Sequence, residues 1–438
     1  MASTSSLVSS AVRAMRVVSE KMGSAESGSS PRRVMLTKAR STTFALPGPP
    51  GWSGADGGLE GGLERRVDNT AVVMFKQVAY LAVVFAILIR FYVRIYPSRA
   101  WEPYEVTDIP LTGVYAPNDA LKSIAFIVDV AAPESFDIRN GKIYAGQKSK
   151  GNIVEIDLDT STKKVVATLG AAEGTHEVLL PTGTLVKNIP VICLNDVAIL
   201  RDDGKTTTYV LSESSTTHAM EAGILEMLSS GSGRVFLFNP AMPGNARFTV
   251  LGENLHFPNG IEVLPDAQTI IVSETARRRV LKYSIRENKW DVFAELPGGP
   301  DGIRKTEKGK YLVTVPLIQG PNGGKDLITY FSKIPPIRFL VSFWLDSIYT
   351  GIYFINEFVP NTFTASLSNK VISFDTLSRY FDFSDPYSLV VELDVRGKVL
   401  RTFSGRDPGF RRISQAMIYD KKLILGSYEH PFLAVLQI

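Results

Sequence analysis

Three short motifs in the sequence carry the same kind of side chain at the same place. Asn195-Asp196-Val197, Asn259-Gly260-Ile261 and Asp301-Gly302-Ile303 each stand where a β-branched run begins. They present amide and carboxylate oxygens, the ligands that Ca²⁺ prefers, at six to eight oxygens per ion. Each motif alone is also a common turn dipeptide. Their shared position in three successive runs instead favours one common metal site.

A further carboxylate and one histidine extend this candidate site. Glu134, in the segment APESF, would add an oxygen ligand to Asn195, Asn259 and Asp301. A calcium ion bound on one side only leaves room for water and substrate and can polarise a carbonyl or phosphoryl oxygen. Asp301 could also accept a proton, and His256 is the histidine nearest in sequence to a predicted ligand. The pattern therefore predicts ester or lactone hydrolysis, with Asp301 and His256 as catalytic candidates. In LHFPNG, His256 would alternatively pack between sheets.

The elements that must position these residues are short strands. After Trp101 the sequence consists of β-branched and aromatic runs broken by Gly, Asn, Asp and Pro, which is typical of all-β proteins. The runs form five groups, and groups of about four strands every 40 to 60 residues predict a β-propeller. The groups lie at 142–169, 197–252, 261–296, 311–317 with 388–405, and 416–438. The three motifs would then surround the central channel.

A long insertion interrupts the fourth group at residues 318–387. It is rich in aromatic residues, and its apolar runs mix helical and strand spacing around Pro335 and Pro336. The two interpretations are a helical excursion packed on the propeller, and a lid or membrane-contacting segment.

A membrane helix is predicted over residues 70–95. Its uninterrupted apolar run is Val78–Ile89, flanked by basic and aromatic residues that suit the interfaces. A buried soluble helix is the alternative. We predict a type II signal anchor in the endoplasmic reticulum or plasma membrane. Residues 1–69 form a Ser/Gly/Arg-rich tail predicted to be disordered, although the segment 1–19 also resembles a mitochondrial transit peptide.

Composition excludes several classes of function. Lys and Arg number 48 against 44 Asp and Glu, so the net charge of +4 is too small to indicate nucleic-acid binding. The single cysteine, Cys193, excludes an internal disulfide and a thiolate zinc site. Residues 96–129 are interpreted as a linker with a first strand, and 130–438 as the propeller.

Four segments resemble the strictosidine synthase-like family. They are LSESSTTHAMEAGILEMLSSGSGRVFLFNPA (211–241), LHFPNGIEVLPDAQTIIVSETARRRVLKYSI (255–285), LPGGPDGIRKTEKGKYLV (296–313) and LILGSYEHPFLAVL (423–436). The resemblance implies a six-bladed propeller of the calcium-dependent phosphotriesterase superfamily, with arylesterase-type activity. It also implies that Glu134, Asn195, Asn259 and Asp301 are the central calcium ligands.

The sequence departs from the family pattern at three places. Gly302 stands where family members have Asn after the Asp, Ser414 stands where true strictosidine synthases have a catalytic Glu, and the second-blade motifs have no counterpart between Leu169 and Asn195. Alkaloid synthesis is therefore not expected, and one blade is expected to be degenerate or missing. We predict a membrane-anchored, calcium-dependent hydrolase of small-molecule esters or lactones. The alternative is a non-catalytic propeller scaffold that binds a protein or lipid partner.

Overall fold

The computed structural model divides the chain into two compact units, residues 24–98 and residues 99–438 with 1–23. It describes residues 104, 106–147, 152–168, 178–321, 327–358, 387–406 and 410–438, and six positions between 77 and 84. Those six positions are helical. The predicted tail (1–69) and most of the predicted membrane helix (70–95) lie outside the described residues. No helix within the described part is both long and apolar enough to cross a bilayer.

The second unit is built from five four-stranded antiparallel sheets, which we number as blades 1 to 5. Blade 1 comprises β2 (Phe136–Arg139), β3 (Lys142–Gln147), β4 (Asn152–Asp157) and β5 (Lys163–Thr168). Blade 2 comprises β8 (Cys193–Asp202), β9 (Thr207–Ser215), β10 (Gly233–Phe238) and β11 (Phe248–Leu255). Blade 3 comprises β12 (Pro258–Val263), β13 (Thr269–Glu274), β14 (Arg279–Ser284) and β15 (Lys289–Glu295). Blade 4 comprises β16 (Ile303–Lys305), β17 (Tyr311–Val315), β18 (Tyr387–Leu393) and β19 (Val399–Arg406).

Blade 5 joins the two ends of the propeller sequence. Its strands are β20 (Ile413–Tyr419), β21 (Lys422–Ser427), β22 (Phe432–Gln437) and β1 (Ala125–Asp129). The pairing of β1 with β22, from Ala125–Val435 to Asp129–Phe432, makes the first strand the outer strand of the last blade. This pairing holds the two ends of the propeller sequence together.

Apolar side chains fill the space between successive blades. Separate clusters lie between blades 2 and 3, 3 and 4, 4 and 5, and 5 and 1. Each strand alternates its side chains between two faces, so a blade packed on both sides needs apolar residues at nearly every position. All seven residues of β18 and all five of β17 are buried. The all-β propeller is thus confirmed.

The described residues form five blades, so the sixth blade that the resemblance implies is not found among them. Where it would follow blade 1 there is a two-stranded hairpin, β6 (Leu185–Val186) and β7 (Ile189–Pro190). Val186 and Val191 pack on Leu211 and Phe236 of blade 2, covering the apolar face that a preceding blade would cover. The five blades of the described residues agree with the expectation that one blade is degenerate or missing.

A buried ion pair attaches this hairpin to blade 2. The Arg234 guanidinium lies 2.5 Å from the Glu213 carboxylate, and both side chains are almost fully buried. Arg234 also donates to the carbonyl oxygens of Val186 (2.9 Å) and Ile189 (3.3 Å). The remaining Glu213 oxygen accepts from the backbone N–H of Ile192 at 2.7 Å.

Blade 1 has one apolar and one polar face. Ile143 and Val154 are buried against blade 5. On the opposite face, Glu155 accepts from Lys142 (2.8 Å) and from the Tyr144 hydroxyl (3.0 Å). This alternation is typical of a sheet that packs on one side only.

Among the described residues, α-helices occur in two connections of the propeller. α1 (Gly223–Leu228) joins β9 to β10, and α2 (Leu327–Ser332) and α3 (Pro335–Phe358) lie between β17 and β18. Pro335 and Pro336 begin α3, where the missing N–H of proline costs no helical hydrogen bond. Short 3-10 helices cover Gly113–Tyr115, Met220–Ala222, Gly244–Arg247 and Thr275–Arg277.

Candidate metal centre

A cavity of about 370 Å³ lies where the first strands of the blades begin. Glu134, Asn195, Asn259 and Asp301, the four predicted ligands, all line it. They come from the segments that open blades 1, 2, 3 and 4, respectively. The structure therefore brings together four side chains that the sequence places in four separate blades.

Irregular backbone at the strand starts directs these side chains. The pairing register shifts between Leu194 and Val197 in β8, and between Pro258 and Ile261 in β12, around the two asparagines. A third shift, between Ile413 and Gln415 in β20, surrounds Ser414, which lines the same cavity. A β-bulge changes the direction of a side chain relative to the regular ladder. Three blades therefore use the same local device at the cavity.

Hydroxyl groups in the second strand of blade 2 and just after the second strand of blade 3 orient the two amides. Asn195 donates from Nδ2 to Ser214 Oγ (2.8 Å), and Asn259 donates from Nδ2 to Thr275 Oγ1 (3.4 Å). Each hydroxyl in turn donates to the next blade, Ser214 to Pro258 O (2.8 Å) and Thr275 to Pro300 O (2.7 Å). Because the amide nitrogens are engaged in this way, the Oδ1 atoms remain as the oxygens that can serve as ligands.

Two glycines allow the first strands of neighbouring blades to touch. Gly260 N donates to Asp301 O at 3.1 Å, and Gly302 N donates to Ser414 O at 2.9 Å. A Cβ atom at Gly260 would lie 2.4 Å from Asp301 O, and one at Gly302 would lie 2.5 Å from Ser414 O. Gly302, a departure from the family pattern, is therefore required by the close approach of blades 4 and 5.

One guanidinium connects the segments that carry the ligands. Arg304 forms a two-point ion pair with Asp196 (2.7 and 3.2 Å) and donates to Ser135 Oγ at 3.3 Å. Asp196 and Ser135 follow the predicted ligands Asn195 and Glu134 in the sequence. Asp196 also accepts from the backbone N–H of Ile261 at 3.0 Å. Burial works against the charge of Arg304, but the Asp196 carboxylate outweighs it and raises the pKa of this guanidinium.

The charges around the cavity favour a cation. Three carboxylates, those of Glu134, Asp196 and Asp301, and one guanidinium, that of Arg304, are among its lining residues. Glu262 does not line the cavity. Burial raises the pKa of Glu262, whose two oxygens accept backbone N–H groups of Val263 (3.1 Å) and Lys305 (3.2 Å). The lining therefore carries a formal charge of minus two when its acids are ionised.

The chemistry of the donor set fits Ca²⁺. Two carboxylates and two amide oxygens are hard ligands of the type that calcium takes. Within the described residues no three His, Cys, Asp or Glu side chains converge as a metal group. The predicted set is not a group of that kind, because only two of its four ligands are acidic. Softer metals that need imidazole or thiolate have no such cluster in this part of the chain.

His256 is not among the residues that line the cavity. Its ring lies against that of Tyr104, with 4.4 Å between the centroids, and its backbone N–H donates to Glu274 at 2.9 Å. Burial and the neighbouring arginines, of which Arg277 contributes most, lower the pKa of His256 to about 3. This environment is that of a neutral packing residue, the alternative interpretation of LHFPNG.

Two family models match parts of this chain. A model described as strictosidine synthase matches residues 196–288, and one described as strictosidine synthase-like, N-terminal, matches residues 113–156. The predicted resemblance to the strictosidine synthase-like family is confirmed.

Relatives similar to this chain include two adipocyte plasma membrane-associated proteins. That of Salmo salar is 29% identical over 267 residues, covering 59% of this chain and 55% of the relative. That of Homo sapiens is 28% identical over 267 residues, covering 60% and 56%, respectively. The chain therefore spans about half the length of the curated relatives it matches.

Among solved structures, a gluconolactonase from Xanthomonas campestris aligns with a TM-score of 0.42 at 13% identity, covering 77% of this chain and 95% of that one. Regucalcin from Agrobacterium tumefaciens aligns with a TM-score of 0.36 at 12% identity, covering 72% and 90%. These alignments are too loose to bear on activity.

Several residues that line the cavity were not predicted as functional. Arg304 follows the motif Asp301-Gly302-Ile303 directly, and Asp196 lies inside the motif that begins with Asn195. Ser414 occupies the same place relative to its strand as the predicted ligands. The sequence feature that could have indicated Ser414 is its position at the start of a strand. Ser414 stands before Gln415-Ala416 in the same way that Asn259 stands before Gly260-Ile261.

Proposed function

We propose that this chain is a membrane-anchored, calcium-dependent hydrolase of esters or lactones. One observation carries the proposal: four side chains with oxygen ligands, Glu134, Asn195, Asn259 and Asp301, line a single cavity. Its volume of about 370 Å³ lies within the range of small-molecule sites. The resemblance to a family with arylesterase-type activity supports the same reaction class, and residues 70–95 would supply the anchor.

The roles of the residues follow from their positions. Glu134 and Asp301 would hold the ion through carboxylate oxygens, and Asn195 and Asn259 through their Oδ1 atoms. When bound, Ca²⁺ would polarise the carbonyl group of the substrate. Asp301 would accept the proton of the attacking water. Ser214 and Thr275 hold the amides in the orientation that this role needs, and Arg304 holds the ligand-bearing segments together.

Hydrolysis of phenyl acetate and of a simple lactone by the purified full chain tests the proposal, alongside calorimetric titration with Ca²⁺. Asp301→Asn removes the proposed proton acceptor, so we expect the rate to fall at least about 100-fold. That factor corresponds to about 2.7 kcal/mol of barrier. A chelator should abolish activity and added Ca²⁺ restore it. Asp203→Asn, in an exposed turn of blade 2, is the matched control and should leave the rate unchanged.

The non-catalytic scaffold is favoured by one specific feature. Gly302 brings no side chain to the cavity, so a polar group that family members carry there is missing. A folded chain that binds Ca²⁺ but hydrolyses neither substrate would support the scaffold. A chain that does not bind Ca²⁺ would exclude the metal centre itself.

A further inference from the structure

Helix α3 exposes an apolar stripe along its outer side. Ile337, Leu340, Trp344 and Ile348 are 40%, 41%, 50% and 39% exposed. At 100° per residue these four positions fall within an arc of about 80°, and they span about 16 Å of helix. A helix on a protein surface normally turns charged or polar residues to the solvent. The stripe contains none.

The opposite side of α3 is fixed to the propeller. Arg338, Phe339 and Phe343 are buried, and Val341 and Leu345 pack against the cluster formed with α1. The helix is therefore held in place by its inner side, so the exposure of the stripe is a property of the folded unit.

We propose that this stripe rests in the surface of a lipid bilayer. Its side chains are branched aliphatic groups around one tryptophan, and tryptophan is the residue that favours the boundary between acyl chains and head groups. Tyr330 of α2, 51% exposed, adds a second aromatic ring of the interfacial type. Because the stripe has no charge, its partner is a neutral apolar surface, and anionic lipid should not be needed.

The course of the chain supports a lipid surface over a protein partner. Tyr104 donates its hydroxyl to Met227 O of α1 (2.7 Å), and its ring lies 4.8 Å from the Arg338 guanidinium of α3. The chain thus enters the propeller beside α3. Only a short segment separates Tyr104 from Ile89, the last residue of the predicted apolar run. A segment of about 15 residues reaches at most about 50 Å, so, given the proposed anchor at residues 70–95, the start of the propeller at Tyr104 is within that reach of the bilayer.

Site-specific fluorescence in vesicles tests this proposal. Leu340→Cys is labelled with an environment-sensitive fluorophore, which is feasible because Cys193, the only native cysteine, is buried. The full chain is reconstituted into phosphatidylcholine vesicles with or without a spin label on the acyl chains. Val395→Cys, in a blade 4 turn and 51% exposed, is the matched control. A second label at Ile348→Cys guards against a local effect of one substitution.

We expect blue-shifted emission and strong quenching by the spin-labelled lipid at positions 340 and 348, little quenching at 395, and the same result when anionic lipid is added. Emission at 340 that matches the control, or a chain that does not associate with the vesicles, would overturn the proposal. So would a blue shift that spin-labelled lipid does not quench, since protein would then cover the stripe. Phenyl acetate hydrolysis by the labelled chain is measured separately, so a failed hydrolase assignment does not affect this result.

Discussion

Removal of the buried charge of Arg234 is expected to weaken the propeller where the β6–β7 hairpin packs on blade 2. In Arg234→Met, the Glu213 carboxylate keeps its bond from Ile192 N but loses the guanidinium 2.5 Å away. Because both side chains are almost fully buried, water cannot replace the lost partner. Breaking a buried ion pair from one side costs about 3–5 kcal/mol. The carbonyl oxygens of Val186 and Ile189 lose their donors as well.

Urea unfolding of the full chain, followed by tryptophan fluorescence, measures this loss. Lys187→Met is the matched control, because Lys187 of the same hairpin also pairs with a carboxylate of blade 2, that of Glu253 at 3.4 Å, but this pair is exposed to solvent. Exposed pairs contribute at most about 1 kcal/mol. The double variant Arg234→Met/Glu213→Met should be more stable than Arg234→Met alone, since no buried charge is left. The reasoning is refuted if Arg234→Met costs no more than Lys187→Met, or if the double variant is the least stable.

Arg304→Met is expected to lower Ca²⁺ affinity about 10- to 100-fold, the usual cost of losing a partner behind the ligands. Arg304→Lys should recover part of the Ca²⁺ affinity. Equal affinity of the unchanged chain and the two variants in calorimetry would contradict this role of Arg304. Gly302→Ala should destabilise the fold by about 1–3 kcal/mol, because its Cβ would lie 2.5 Å from Ser414 O; an unchanged melting temperature would exclude that contact. His256 has a pKa of about 3 when folded and 6.5 when unfolded, so its contribution to stability, present above pH 6.5, is lost as the pH falls toward 3. His256→Gln should therefore lose less stability over that range. Parallel curves of unfolding free energy against pH for the two chains would refute the lowered pKa of His256.

Strands of the blades could be predicted because their local patterns are strong. The runs KIYAGQ and NIVEID coincide with β3 (Lys142–Gln147) and β4 (Asn152–Asp157). Pairs that depend on distant chain segments could not be predicted in this way. The fifth group had only three strands in the sequence, and its fourth is β1, which lies at the opposite end of the propeller sequence. No local periodicity records such a partner.

The candidate ligands could be predicted because repeated blades place equivalent residues at one end of the channel. The residues that hold them could not, because their partners come from other blades. Nothing in the spacing of Ser214 or Thr275 indicates that their hydroxyls join an amide of one blade to a carbonyl of the next. The glycine at 302 looked like a lost polar group, and only the 2.5 Å approach to Ser414 O gives its physical reason.

In the described part of the chain, Arg304 connects blades that have no direct hydrogen bond between their cavity-lining segments. Near the cavity, blades 2 and 3 are joined by the Ser214–Pro258 bond, and blades 4 and 5 by the Gly302–Ser414 bond. Blade 5 is joined to the segment that opens blade 1, because Ser414 Oγ donates to Glu134 O at 2.7 Å. Only the β6–β7 hairpin lies between blades 1 and 2 in the described residues, and the guanidinium of Arg304 contacts Ser135 at the start of blade 1 and Asp196 of blade 2. Its loss should therefore change the separation of Glu134 and Asn195 more than that of Asn259 and Asp301, whose blades remain in direct backbone contact.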